Sequence, residues 1–283
     1  MLLLLSTLWG GAYLVIAIAL QGFQPVVVVF GRVALAAAVL MPIALYQGVL
    51  RPLMQRPWWA LFTVLLQATA PLLLLTYGQQ WLPVGLTGIL IGTQPLFVAL
   101  LATWLDPQER PRGLVGGSGL LLGFVGLALI FGIDVGSSGR VLLGCLLVTG
   151  AAICYATGSI LIHRQLGFAQ PLGVATAAMF VSTAVLLVPG VLSLPNDTPP
   201  MAATVALVAL GVVFTGFTLR LFYGLIADVG PGKATLAFYV SPGITVILGW
   251  LLFDEPVTWS TLLGLGAIAA GSALVGRHGG SST

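Results

Sequence analysis

Two arginines stand inside long apolar segments of this chain, where a charged side chain has no water to solvate it. Arg220 shares a helical face with Phe217 and Gly224 and lies one turn from Tyr223. Its planar guanidinium could hold the carboxylate of a small substrate in a bidentate pair. Arg32 could instead tie its helix to backbone carbonyls near helix breaks. We therefore expect Arg220 to bind substrate and Arg32 to serve the structure.

Aromatic and amide side chains recur in the same kind of segment. Gln67 and Tyr77 fall on one helical face, and polar groups in such a place need the partners that a water-filled cavity supplies. Trp58 and Trp104 lie at segment ends, as in the aromatic belts at membrane surfaces, but several other aromatic residues are mid-segment. The predicted substrate-binding residues are Trp9, Tyr13, Gln67, Tyr77, Gln80, Thr93, Gln94, Tyr155, Phe217, Arg220, Tyr223 and Tyr239.

One pattern occurs twice, about half the chain apart: a hydrophobic helix, a turn, a second helix with a central proline, and a polar loop with a glutamate. Pro95 corresponds to Pro242, and Glu109 to Glu255. A proline removes a backbone hydrogen bond and bends its helix. We therefore predict that Pro95 and Pro242 let their two segments act as alternating gates.

No aspartate or glutamate lies at mid-depth in any apolar segment, since all seven are in loops or near segment ends. Proton-coupled carriers usually need a titrating group within the membrane. The sequence thus favours a facilitator, which moves solute down its gradient. Cys145 and Cys154 show no metal-ligand spacing, so neither a metal nor a cofactor is predicted.

Ser118 lies in the run Gly116-Gly117-Ser118-Gly119, which matches the G-x-S-G pattern of intramembrane serine proteases. With His163 it could form a nucleophile–base pair. The same glycines would also allow two helices to pack closely, and a later segment repeats the glycines without the serine. Helix packing is the favoured interpretation, so the protein is not expected to be an enzyme.

These residues must be positioned by membrane-spanning helices. Of the 283 residues, 59% are hydrophobic and only 6% are charged, whereas soluble domains carry about 25% charged residues. Continuous apolar runs in lipid must be helical, because no water is present to bond the backbone. Ten segments long enough to span are predicted, at about 2–20, 25–46, 58–77, 82–104, 113–131, 140–162, 171–192, 201–226, 231–252 and 258–276.

The distribution of basic residues predicts the orientation. Six arginines fall in the even-numbered loops and at the C-terminus, while the odd-numbered loops hold only Arg140. Basic residues stay on the cytoplasmic side, so both termini should be cytoplasmic. Five helices per half is an odd number, so the halves 1–135 and 140–277 should be inserted upside down relative to each other around a central cavity, as one membrane domain.

The chain resembles the drug/metabolite transporter superfamily, in its ten-helix EamA-type branch. The residues that carry the resemblance are Trp9-Gly10, Arg32 with its Ala-rich run, the two repeated prolines, the two glutamate loops and the Gly-rich fifth and tenth segments. The resemblance implies a basket of helices one to four and six to nine around a cavity, supported by the other two. Within the branch, the chain looks most like bacterial YddG-like exporters of aromatic amino acids.

We therefore expect an all-α, multi-pass transporter of the bacterial inner membrane that exports small amphipathic metabolites, foremost aromatic amino acids, by alternating access. The alternatives are a drug or cation efflux carrier, which would favour a mid-membrane carboxylate, and an intramembrane protease. The expected partners are a small-molecule substrate and the lipid bilayer, with no nucleic acid. Either a monomer or a homodimer fits the glycines.

Overall fold

The chain folds into a bundle of helices in a computed structural model that describes residues 1–105, 113–134, 139–229 and 236–276. No strand is present in these ranges, which confirms the all-α prediction. The helices are α1 (Leu2–Ala19), α2 (Pro25–Gln47), α3 (Pro57–Gln79), α4 (Val84–Leu105), α5 (Gly113–Asp134), α6 (Gly139–Leu166), α7 (Pro171–Leu192), α8 (201–229), α9 (Leu236–Phe253) and α10 (Trp259–Gly276).

The helix ends follow from local chemistry. Pro25, Pro57 and Pro171 each begin a helix, where the missing N–H is not needed and the fixed φ suits the first turn. Gly48 ends α2 in the left-handed conformation, with φ of 67°. The continuous apolar runs between such signals propagate as helices.

Seven described helices are long and apolar enough to cross a membrane: α1 to α4, α6, α7 and the first 22 residues of α8. Helices α5, α9 and α10 contain shorter apolar stretches, at Leu114–Ile130, Val240–Phe253 and Trp259–Leu274. The multi-pass architecture is thus present in the described residues, while ten crossings stay a prediction.

The two halves of the bundle are packed into each other. Helix α1 packs on α8 and α9, and its counterpart five helices later, α6, packs on α3 and α4. Pairs α2–α7, α4–α9 and α5–α10 also join one half to the other. Each of these helices therefore buries part of its surface against the opposite half.

Helices α5 and α10 meet through glycines. A Cβ atom at Gly271 would lie 2.5 Å from the carbonyl oxygen of Gly119, and one at Gly126 would lie 3.0 Å from that of Gly264. The glycines of these helices thus serve internal packing of the same chain, with backbones in close approach.

The repeated pattern ends in a glutamate loop in each half, and the structure describes one of these loops. The Glu255 carboxylate, which follows α9, accepts hydrogen bonds from the backbone N–H groups of Val84 (2.5 Å) and Gly85 (2.8 Å) at the start of α4. An anion at a helix N-terminus satisfies otherwise unbonded donors and complements the helix dipole. Gly249 leaves the room that this carboxylate occupies. Glu109 lies outside the described residues.

We predict that Glu255→Gln lowers stability, because an uncharged amide satisfies only part of the two N–H donors. The expected loss is about 1–3 kcal/mol in the free energy of unfolding, as for hydrogen bonds to a charged group. It is measured as a lower apparent melting temperature of the purified protein in detergent.

Asp254→Asn is the matched control. Asp254 is exposed and has a left-handed φ of 52°, which asparagine also tolerates. An equal loss in the two variants would contradict a capping role for Glu255.

Candidate functional site

The buried polar groups of the bundle gather around Arg32 on α2. Its guanidinium interacts electrostatically with the phenol groups of Tyr13 on α1 and Tyr155 on α6, and the two phenols interact with each other. Its Nε donates a hydrogen bond of 2.8 Å to the Thr215 hydroxyl on α8. Four helices from both halves thus meet at one cation, which we call the Arg32 cluster (Tyr13, Arg32, Tyr155 and Thr215).

A local change of helix type places Thr215 in the cluster. Residues Val212–Phe217 form a π-helical turn within α8. The hydroxyls of Thr215 and Thr218 donate to the carbonyls five residues earlier, at 2.7 and 2.8 Å. Such side-chain bonds satisfy backbone groups that the wider turn leaves free, and π-turns are frequent at functional sites.

An equivalent π-turn, Leu65–Thr69, occurs in α3 of the other half. There the Thr69 hydroxyl lies 2.7 Å from the Ser182 hydroxyl on α7. Each π-turn therefore places a threonine against the second helix of the opposite half. One contact joins two hydroxyl groups and the other carries a charge, so the architecture repeats while the chemistry does not.

Arg32 has no anionic partner among the described residues. No carboxylate of the described residues forms a salt bridge with it. Arg32 lies seven residues inside α2, about 10 Å from the helix start at 1.5 Å per residue. An arginine at the centre of a membrane helix costs about 3 kcal/mol on insertion scales. A cation retained at such a cost, with two phenols in its electrostatic environment, is suited to hold an anionic group.

Two glutamine amides on α3 extend the polar interior. The Gln67 amide packs on Gly158 of α6, one helical turn beyond Tyr155. Gln79 is 4% exposed and donates to the backbone carbonyl of Tyr13 at 2.5 Å. Each amide oxygen is buried without a hydrogen-bond partner among the described residues. Buried polar atoms are rarely left unbonded, so these two oxygens are exceptions within the bundle.

Several predicted binding residues lie elsewhere. Trp9 packs edge to face on Phe222, 4.9 Å between ring centres, within an apolar cluster of α1 and α8. Arg220 is exposed, and its guanidinium lies along its own helix beside Gly224. Phe217, one turn before it, is 47% exposed. Arg32, rather than Arg220, is therefore the arginine associated with the buried tyrosines.

On α3, the neighbouring glutamines differ in the same way. Gln80 is exposed and donates to the Tyr77 carbonyl of its own helix at 3.2 Å, and the Tyr77 side chain is 39% exposed. Gln79, which the sequence reasoning passed over, is the buried one. The side chains of Tyr223 and Tyr239 lie outside the described part of the chain.

The predicted gating residues meet at a break in α4. The helix stops at Ile91 and resumes at Gln94, so Pro95 lies in a first turn, where proline is tolerated. Buried Thr93 donates to the Leu90 carbonyl at 2.6 Å, within the break. Helix α9 continues through Pro242, whose ring packs against Gly92 in the break. The equal kinks expected in both halves are therefore replaced by one broken and one continuous helix.

Ser118 and His163 do not form a hydrogen-bonded pair in the described residues. The Ser118 hydroxyl donates to the Val115 carbonyl of its own helix at 3.0 Å, and both side chains are exposed. The backbone of Gly119, next to Ser118, approaches Gly271 of α10, whereas a Cβ atom at Gly117 would meet open space.

The sequence around Arg32 and Thr215 contains features that are compatible with their positions in the structure. Arg32 follows Gly31 in an otherwise apolar helix, and Thr215 is followed by Gly216 and Thr218. Threonines near a glycine in a membrane segment are compatible with an irregular turn. Nothing in the local sequence shows that α2 and α8 place these residues together.

A family model matches almost the entire chain, in two parts, residues 1–132 and 142–277, and describes the EamA-like transporter family. This chain belongs to the EamA-like transporter family. The family accounts for the long apolar helices and for a function in moving solutes across a membrane.

Curated relatives of this EamA-family chain are named as transporters. An uncharacterized inner membrane transporter, YedA of Escherichia coli, is 26% identical over 96% of this chain and 88% of its own length. An uncharacterized transporter, YvbV of Bacillus subtilis, is 24% identical over 97% and 90%. A probable terminal-alkyne amino-acid exporter of Streptantibioticus cattleyicolor is 23% identical over 98% and 92%. One solved crystal structure shares the fold, with a TM-score of 0.70 and 17% identity over 97% of this chain and 95% of the other.

We predict that Thr215→Val destabilises the protein by about 1–3 kcal/mol, because it leaves the Arg32 Nε without its acceptor. The readout is the apparent melting temperature in detergent. Thr218→Val is the matched control, since it removes a similar bond to a carbonyl but no partner of a charge. Equal effects of the two substitutions would show that the Arg32 bond contributes nothing.

Proposed function

We propose that this EamA-family transporter exports small amphipathic metabolites, amino acids foremost, from the cytoplasm of a bacterium. It works by alternating access as a facilitator, with ten crossings in two inverted halves and both termini in the cytoplasm. The observation that carries the proposal is the Arg32 cluster, in which helices of both halves place a cation and two phenols in the membrane interior.

The chemistry of the cluster suits such a substrate. A guanidinium can pair with a carboxylate, while the tyrosine rings offer faces for an ammonium or an apolar side chain. The relative from Streptantibioticus cattleyicolor, named a probable amino-acid exporter, supports the same substrate class.

The proposal that transport is not coupled to an ion rests on the positions of the carboxylates. Every aspartate and glutamate of the sequence lies in a loop or near a helix end, so no carboxylate is available at mid-depth to carry a proton. Export by a facilitator needs only a higher concentration of the metabolite inside the cell.

We expect labelled aromatic amino acids to exchange across proteoliposomes that contain the purified protein. Counterflow against an internal unlabelled pool should be saturable, and an imposed pH gradient alone should drive no accumulation. Uptake driven by a pH gradient would contradict the facilitator. Exchange of organic cations in place of amino acids would favour the drug or cation carrier.

The break in α4 is the part of the structure best suited to gating. Pro242 of one half packs on Gly92 of the other, and a small void beside them is lined by α10 residues such as Leu265 and Ile268. A broken helix with space beside it can pivot without disrupting a continuous ladder of hydrogen bonds.

We predict that Pro242→Ala slows exchange several-fold and leaves folding intact, because it removes the ring that fills the break. Pro95→Ala should slow exchange less, since Pro95 lies in a first turn that any residue can adopt. The measurement is the initial rate of counterflow at saturating substrate. Unchanged rates in both variants would disprove the gating role of the prolines.

A further inference from the structure

We propose that Arg32 is the residue that selects the substrate, by binding its carboxylate end-on through the two terminal amino groups of its guanidinium. This inference rests on the proposed function and deepens it, because it names the group that the site recognises and the side chain that recognises it.

The first step is the hydrogen-bonding capacity of the guanidinium. Arginine has five N–H donors, one on Nε and two on each terminal amino group. Nε is occupied by Thr215, while the terminal amino groups donate to no atom of the described residues. Neither is among the fully buried polar atoms that lack a partner, so each terminal amino group keeps some accessible surface.

The second step is geometry. Because Thr215 occupies Nε, the side-on approach that uses Nε is blocked. The remaining edge carries the two terminal amino groups, which can donate two parallel hydrogen bonds to the two oxygens of one carboxylate. Thr215 also donates to the Leu210 carbonyl, so its oxygen is held in place as the acceptor for Arg32. The hydrogen bond to Thr215 on α8 thus orients the guanidinium and leaves its terminal amino groups available to other acceptors.

The third step is charge balance. With no carboxylate of the described residues in a salt bridge to Arg32, an anionic group of the substrate would be its counter-ion. The hydroxyls of Tyr13 and Tyr155 interact with the same charge and can donate to an anion bound beside it. A positively charged substrate without a carboxylate would be repelled, so the site selects amino acids over the corresponding amines.

The test separates recognition of the carboxylate from transport. Binding to the purified protein is measured by ligand-induced thermal stabilisation with phenylalanine, phenylalaninamide and phenylpropionate, and counterflow is measured with labelled phenylalanine. Wild-type protein should bind phenylalanine and phenylpropionate but not the amide. Arg32→Gln should weaken the binding of phenylalanine and of phenylpropionate about 10- to 100-fold, and it should abolish the preference for them over the amide.

Three further variants test whether the loss of carboxylate preference comes from the guanidinium of Arg32. Arg32→Lys keeps a cation and should retain part of the preference, and Thr215→Val keeps the charge and should retain most of it. Arg140→Gln removes an exposed arginine at the start of α6, and it should change neither the affinity for carboxylates nor the preference over the amide. If Arg32→Gln does not fold, the comparison of Arg32→Lys with Thr215→Val still decides, because only loss of the guanidinium fork should lower carboxylate affinity markedly.

The outcomes distinguish this inference from the proposed function. Counterflow of phenylalanine with unchanged selectivity in Arg32→Gln would overturn the role of Arg32 and leave the exporter standing. Binding of phenylpropionate that depends on Arg32, without any exchange of amino acids, would support the anion site and overturn the substrate. Equal loss of selectivity in Thr215→Val and Arg32→Gln would assign the effect to helix packing and refute the inference. Loss of selectivity only in Arg220→Gln would move the site to Arg220 and also refute it.

Discussion

The exclusion of water from the membrane interior is the constraint on which the rest of this structure depends. It forces the apolar segments to be helical, and it forces polar side chains within them to find partners in other helices. The tie of Arg32 to Thr215, the contact of Thr69 with Ser182 and the bond from Gln79 to Tyr13 each join different helices for this reason. Polar contacts therefore decide where the helices meet, while glycines decide how closely.

The two halves use one architecture for different chemistry. A π-turn occurs at corresponding places in α3 and α8, and each puts a threonine against the second helix of the other half. Only one of these contacts includes a charge. A similar difference separates the continuous α9 from the broken α4. The scaffold therefore repeats between the halves, while the polar contacts within it do not.

Much of the fold could be predicted from the sequence, because long apolar runs have one solution in lipid and proline and glycine mark helix ends such as Pro25 and Gly48. The site could be predicted only in part. Of two adjacent glutamines, the sequence favoured Gln80, which is exposed, and passed over Gln79, which is buried. Helical periodicity gives the faces of one helix, and a π-turn in α3 shifts those faces by an extra residue.

The sequence by itself determined that this protein is a helical membrane protein and that its two halves resemble each other, since hydropathy and repetition are local properties of the chain. Only the tertiary structure decided which arginine meets the tyrosines. Arg32 and Arg220 are equally costly in an apolar segment, and what separates them is the crossing of α1, α2, α6 and α8. The environment of a charged side chain in a membrane is set by the groups packed around it, and these groups come from helices that are far away in the sequence.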